Sequence, residues 1–210
     1  MKLNKKGLLI IISGPSGVGK ETVRKALFNI KNHNFIYSIS FTTRPQRSYE
    51  KQGKNYYFVS EKQFLNYINK DYFLEWAKFL GYYYGTPRNA IEEDMKKGKE
   101  VIVEVEVEGA LKIREKNIKD AVFIFIVPPS KKSLYDRLKK RGTETEQIIQ
   151  QRIQKADKEF LLAYKYDYIV MNDEINNAAN RIISIISAEH SKTKRSIYTY
   201  FKILEGEKIK

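Results

Sequence analysis

Gly14-Pro15-Ser16-Gly17-Val18-Gly19-Lys20 is the stretch of this sequence richest in chemistry. Gly14, Gly19 and Lys20 set the pattern G-x-x-x-x-G-K, in which successive backbone N–H groups converge on phosphate oxygens and the lysine reaches the outer phosphates. The loop follows an isoleucine-rich apolar run, Gly7–Ser13, that reads as a strand buried on both faces. It precedes Glu21–Ile30, where Val23, Ala26, Leu27 and Ile30 recur at helical spacing, so a helix N-terminus would add its dipole to the loop. This context argues against an ordinary glycine-rich turn. One position departs from the pattern: Glu21 stands where Ser or Thr normally offers a hydroxyl to magnesium. Thr22 does not simply replace it, because one helical residue turns the side chain by about 100°. Three readings of Glu21 stay open: direct coordination of a cation, a hold through water, or an exposed first-turn acid, favoured there by the helix dipole.

Two further stretches carry charge in a pattern. Val101–Val107 alternates so that a strand would put four valines on one face and Ile102, Glu104 and Glu106 on the other. The two carboxylates would then lie roughly 7 Å apart, either lining a site at the strand's carboxyl end or forming a polar face paired with lysines. Lys131–Arg141 holds six basic residues and one acid, Asp136, a run usually read as a solvated helix face.

Elements able to position these groups follow along the chain. Tyr37–Phe41 and Tyr56–Val59 read as strands, and Ser60-Glu61-Lys62-Gln63 has the form of a capping box before a helix to about Asn69. Phe73–Phe79 and Tyr82–Gly85 are aromatic and extended, and Pro87 suits the first turn of a following helix. Ala121–Val127 is a continuous apolar strand, and Ser130 caps a helix to about Arg141 that Gly142 breaks. A long helix is expected from Glu144 to about Tyr164, a strand at Tyr168–Met171 and a helix from Asn176 to about Ala188. Strands separated by helices predict an α/β fold: a parallel sheet flanked by helices, with an aromatic, β-rich insertion at about 37–96.

Composition narrows the chemistry. The 210 residues contain no cysteine and two histidines, His33 and His190, far apart in sequence. Thiolate nucleophiles, disulfides, iron–sulfur clusters and thiol zinc sites are thereby excluded, while all-oxygen cation sites remain open. The apolar run after Met1-Lys2-Leu3-Asn4-Lys5-Lys6 is short for a signal peptide and ends in a glycine loop, and no later run is long enough to span a bilayer. A soluble, cytoplasmic protein without membrane attachment is expected. Lys and Arg total 39 against 25 Asp and Glu, a net +14, which points to a polyanionic partner of unspecified kind.

Taken in order, GPSGVGK, SISFTTRPQR, NYYFVS, FLEWAKF, YYYGTPR, VEVEVEGA, RLKKRGTETE and YDYIVMND resemble the guanylate kinases over about residues 7–188. The resemblance implies a P-loop kinase core (1–36, 97–130 and 153–190), a GMP-binding region (37–96), a mobile lid (131–152) and a C-terminal extension (191–210). Its ATP site would comprise Gly14, Pro15, Ser16, Gly17, Val18, Gly19, Lys20, Glu21, Thr22 and Asn172. Its GMP site would comprise Ser40, Arg44, Arg47, Tyr56, Glu75, Tyr84, Thr86 and Glu106. Arg44 and Arg47 would fork onto the GMP phosphate with help from the two tyrosine hydroxyls. Glu75 would accept the guanine N–H groups while Ser40 and Thr86 read its carbonyl. Acids are usual in the family at the positions of both Glu104 and Glu106, near GMP and magnesium. Lys20, Arg44, Arg137, Arg141 and Arg152 would be the catalytic cations, the last three closing over the transferring phosphoryl group. The family usually has serine where this chain has Thr86 and glutamine where it has Glu108.

The implied activity is ATP-dependent phosphorylation of GMP, and of dGMP, with Mg²⁺ as the cofactor of ATP, in a monomer or homodimer. The residues that would bind a metal are not identifiable. Two other readings exist: a non-catalytic interaction module of guanylate-kinase type, and a nucleic-acid binder prompted by the charge. Retention of Lys20 and the lid arginines argues against the first. Basic residues spread along the chain without a recognition motif argue against the second, so no nucleic-acid partner is expected. The tail from Ser191 has more basic than acidic residues, and its Ile197, Tyr198, Tyr200, Phe201, Ile203 and Leu204 could pack as a terminal element or serve oligomerisation.

Overall fold

Apolar runs without polar alternation need cover on both faces, and the computed structural model supplies it. It describes residues 6–31, 33–79, 81–140 and 145–205. β1 (Leu9–Ser13) leads through the glycine loop into α1 (Lys20–Asn29), then β2 (Phe35–Tyr37), β3 (Phe41–Thr42), β4 (Tyr57–Phe58) and α2 (Glu61–Asn69). β5 (Phe73–Phe79), β6 (Tyr82–Pro87), α3 (Asn89–Lys96), β7 (Glu100–Glu104), α4 (Val107–Glu115) and β8 (Ala121–Val127) follow. The chain continues with α5 (Lys131–Lys140), α6 (Glu146–Phe160), a short 3₁₀ turn, β9 (Tyr168–Met171), α7 (Ile175–Ser191) and α8 (Thr193–Leu204).

β2-β7-β1-β8-β9 form a parallel sheet with β1 at its centre. Successive residues of β1 serve opposite layers, as a period of two requires. Ile10 and Ile12 pack with Val23, Leu27 and Ile182 on one side, and Leu9 and Ile11 with Val103, Ala110 and Ile113 on the other. A smaller sheet, β4-β3-β6-β5, is built on Phe41, Phe73 and the α2 residue Phe64. Phe64 and Phe73 stack at 4.5 Å between ring centroids, which fixes α2 against this sheet. The Ser60–Gln63 capping box is present.

Four expectations are corrected. The strand foreseen over Tyr37–Phe41 is two strands in different sheets, β2 in the large and β3 in the small, with 38–40 crossing between them. Pro87 ends β6 rather than starting a helix, because it and Thr86 are still paired with Phe73 and Glu75 of β5. The long helix foreseen to Tyr164 stops at Phe160 and tightens into the 3₁₀ turn Ala163–Lys165. β7 ends at Glu104, and Glu106 is the N-cap of α4, a helix unforeseen because VEVEV continues the period-two pattern past the strand's end. Glu104 and Glu106 therefore do not share a strand face.

The tail forms α8, tied to the far end of the sheet from the glycine loop. Asp120, in left-handed backbone at φ 69°, accepts from Arg195 at 2.5 Å and from Lys6 at 3.2 Å. Arg195 also donates to the Lys6 carbonyl at 2.7 Å. The side chains of Asp120 and Arg195 are 5% and 6% exposed. Asp120→Asn keeps the backbone tolerance of the position while removing the negative charge opposite a buried guanidinium, so it should cost roughly 3 kcal/mol. Urea unfolding measures this; a midpoint equal to wild type would show that the ion pair contributes nothing.

Candidate active site

The glycine loop is shaped by contacts that forbid side chains. Gly14 has φ 142°, and a Cβ there would lie 2.4 Å from the Ile126 carbonyl oxygen of β8. Gly19 has φ 91°, and a Cβ would lie 2.6 Å from Nδ2 of Asn172. Gly19 is also the N-cap of α1 and supplies no side-chain cap, which leaves the first-turn N–H groups of α1 without one. Lys20, 8% exposed, donates through Nζ to the carbonyls of Gly14 at 2.6 Å and Pro15 at 3.3 Å. The same ammonium lies 3.2 Å from Oε1 of Glu106. The N-cap position of Glu106, reached because β7 ends early, is what brings this carboxylate to the loop.

Three more groups converge on the loop from distant sequence. Arg137 of α5 donates to the Val18 carbonyl at 3.0 Å and the Asn172 carbonyl at 2.7 Å. Arg152 of α6 donates to Oγ of Ser16 at 2.8 Å. Asn172, buried just past β9, donates through Nδ2 to the Val18 carbonyl at 2.7 Å. Beside them opens a cavity of about 690 Å³, lined by Gly17, Gly19, Thr22, Arg137, Asn172 and Asp173 among others. Thr22 donates to the Gly19 carbonyl at 2.7 Å. Glu21 is exposed and lies 2.7 Å from Lys25, an i, i+4 pair on the surface of α1. Arg141 lies outside the described residues.

The smaller sheet assembles a second group. Arg44 makes a forked pair with Glu50, at 2.7 and 3.0 Å, and the backbone N–H of Arg47 donates to the same carboxylate at 2.9 Å. The Arg44 bond holds the buried Glu50 carboxyl below its ordinary range. Arg44 lies 5.6 Å from the ring centroid of Tyr56, whose ring meets that of Tyr84 edge-on at 6.0 Å. The Arg47 guanidinium is exposed and donates to the Tyr49 hydroxyl at 2.8 Å. Ser40 lies at the crossing between sheets, its carbonyl accepting from Tyr57 N–H at 2.9 Å. Glu50 was missed from sequence. An acid six residues past one arginine and three past another carries no signal until the turn between them closes.

Glu75 and Thr86 face each other across β5 and β6, and Thr86 Oγ1 donates to Glu75 Oε1 at 2.7 Å. Burial pushes the Glu75 carboxyl up, while the Thr86 hydroxyl pulls it down by hydrogen bonding. Glu108 points into solvent and pairs with Lys112 at 3.1 Å. Glu104 is within electrostatic reach of both groups. Its charge bears on Lys20 of the loop and on Tyr56 of the small sheet.

A glycine loop between the central strand of a parallel sheet and a helix, ringed by lysine and arginines from separate helices, defines a P-loop nucleotide-binding protein of the α/β kinase class. A second, carboxylate- and arginine-bearing sheet lies within electrostatic reach of Glu104, as does Lys20 of the loop. The family model for guanylate kinase matches residues 6–189, and the chain belongs to the guanylate kinase family.

The guanylate kinase of Onion yellows phytoplasma (strain OY-M) is 64% identical over 205 residues, covering 98% of this chain and 97% of the relative. That of Streptococcus mutans serotype c is 45% identical with the same coverage. The crystal structure of guanylate kinase from Anaplasma phagocytophilum is 34% identical, with a TM-score of 0.73 over 90% of this chain and 89% of that one.

Proposed function

We propose that this protein transfers the γ-phosphoryl group of ATP to GMP, giving ADP and GDP. The observation that carries the reading is the joining of two half-sites on one chain. A phosphate loop with Lys20, Arg137 and Arg152 is joined on one chain to a sheet with Arg44, Tyr56, Tyr84, Glu75 and Thr86. Support for a non-catalytic interaction module is lacking, since the relatives named above carry the name of the enzyme.

In this reading ATP lies with its phosphates over the N-terminus of α1 and its base in the cavity beside Asn172. Lys20 exchanges the loop carbonyls for β- and γ-phosphate oxygens. Arg137 and Arg152, with Arg141, neutralise charge that spreads over the phosphoryl oxygens in transit. No general base is required, because a GMP phosphate oxygen is already an anionic nucleophile. The segment from α5 to α6 acts as the lid, excluding water so that GMP rather than water receives the phosphoryl group. Magnesium enters as MgATP and is part of the substrate. Phosphate oxygens and water suit its octahedral demand, and the exposed Glu21–Lys25 pair supports the solvated reading of Glu21.

GMP lies on the small sheet with its phosphate between Arg44, Arg47, Tyr56 and Tyr84. Glu75 accepts from guanine N1–H and N2–H. Adenine offers a lone pair at N1 instead, a mismatch able to discriminate by roughly 10⁴-fold. dGMP retains every contact proposed for the base and phosphate and is expected to serve as a second acceptor. A cytoplasmic location matches these substrates, and among the described residues no helix is long and apolar enough to cross a membrane.

Recognition by Glu75 needs the ionised carboxylate. Its burial raises its pKa, so kcat/KM for GMP should fall, as pH decreases, at a pH above the ordinary glutamate range. Thr86→Ala removes the hydroxyl that favours the ionised form and should move this acid limb to higher pH. Paired pH profiles check it, and an unmoved limb would contradict the role given to Glu75. The activity itself is tested by incubating the protein with ATP labelled at the γ-phosphate and GMP. Label should appear in GDP; label released only as inorganic phosphate would overturn the reading.

A further inference from the structure

α1 carries a second cation that no phosphate contact requires. Arg24, four residues past Lys20 on α1, donates through Nε to Oε2 of Glu104 at 2.9 Å. Both side chains are 18% exposed. The other face of the guanidinium is covered by the ring of Tyr37 on β2, with Cζ 4.1 Å from the ring centroid. α1, β2 and β7 are thus joined by a ring, a cation and a carboxylate in series. Oε1 of Glu104 has no protein partner among the described residues.

A carboxylate near the ATP phosphates and the GMP phosphate repels both unless it is turned toward a donor. The donors that bound nucleotides bring to this place are ribose hydroxyls and cation-held water, with Lys20 as the protein's own. We infer that Arg24 is a positioning residue for phosphoryl transfer: braced by Tyr37, it holds Oε2 of Glu104 and thereby aims Oε1 at the junction of the two half-sites. The inference rests on the proposed kinase reading and adds a residue that touches neither nucleotide.

Because Arg24 acts through Glu104, its loss should fall on kcat rather than on either KM. Arg24→Met should lower kcat by roughly 10–100-fold, the worth of one charge-assisted bond, with KM for ATP and GMP changed less than about threefold. Arg24→Lys keeps a cation beside Glu104 and should recover most of the lost rate. Glu104→Gln should show a comparable loss, and the double variant Arg24→Met/Glu104→Gln should be no slower than Glu104→Gln alone.

A kcat for Arg24→Met equal to wild type, or losses that multiply in the double variant, would overturn the inference. If Arg24→Met does not fold, the double variant against Glu104→Gln decides, since neither leaves an unpaired carboxylate. Equal rates support the inference and a further tenfold loss overturns it. Wild-type protein without GMP-dependent turnover would instead defeat the kinase reading itself, a failure visible before any variant is compared.

Discussion

Replacing Lys20 by methionine should lower kcat by roughly 10³-fold, the loss expected when a clamp on a transferring phosphoryl group is removed. Lys20 is the first residue of α1 and 8% exposed, with its ammonium already held among the Gly14 and Pro15 carbonyls and Glu106. Methionine fills the same space without charge. The partner left behind, Glu106, is 59% exposed and so can be solvated. The fold should therefore survive, and a thermal melt close to wild type is part of the expected result. GMP affinity, measured calorimetrically, should stay within a few-fold of wild type, because the acceptor contacts lie on the other sheet. Full turnover in this variant would remove the glycine loop from the chemistry.

The second large effect is expected at Arg44. Loss of its guanidinium should raise KM for GMP by roughly 10²-fold or more, the worth of a forked contact to phosphate, and leave KM for ATP nearly unchanged. The simple alanine variant carries a complication that the structure makes explicit. Glu50 is 7% exposed and takes both of its side-chain bonds to charge from Arg44, so Arg44→Ala strands a buried carboxylate at a cost of roughly 3–5 kcal/mol. Arg44→Met/Glu50→Gln removes both charges and separates the two effects. Its stability should return toward wild type while its KM for GMP stays high. Equal rises in KM for ATP and GMP would contradict the division into two half-sites.

The phosphate loop was legible because its chemistry is local. Glycines at fixed spacing, a lysine, an apolar strand before and an apolar-periodic helix after are all within reach of one another in the chain. The capping box at Ser60 and the buried strand at Ala121–Val127 were readable for the same reason. What failed were transitions decided by tertiary contacts. The alternation of Val101–Val107 continues in sequence past Glu104, yet β7 stops there because the chain leaves β1 to begin α4. The alternating segment Tyr37–Phe41 has strand character throughout, but its two ends find partners in different sheets.

The acceptor group was legible only through the motif resemblance. A serine, two tyrosines, two arginines, two glutamates and a threonine scattered between Ser40 and Glu106 carry no common spacing. The small sheet sets Glu75 opposite Thr86 and Tyr56 against Tyr84 and Arg44, whereas Glu106 lies at the phosphate loop beside Lys20. Glu50 and Arg24 escaped notice because each acts on another charged side chain rather than belonging to a motif. The net charge of +14 is sharpened as well: a few cations converge on the loop and small sheet, and others, such as Lys25 and Lys112, pair with surface acids.

The central claim is that the two half-sites work on one pair of nucleotides, ATP and GMP. Steady-state release of ADP from MgATP, measured with GMP and with AMP as acceptor, tests it most directly. Turnover that saturates with GMP and is at least about 10²-fold less efficient with AMP is the predicted result. ADP release independent of GMP, or equal efficiency with AMP, would contradict it.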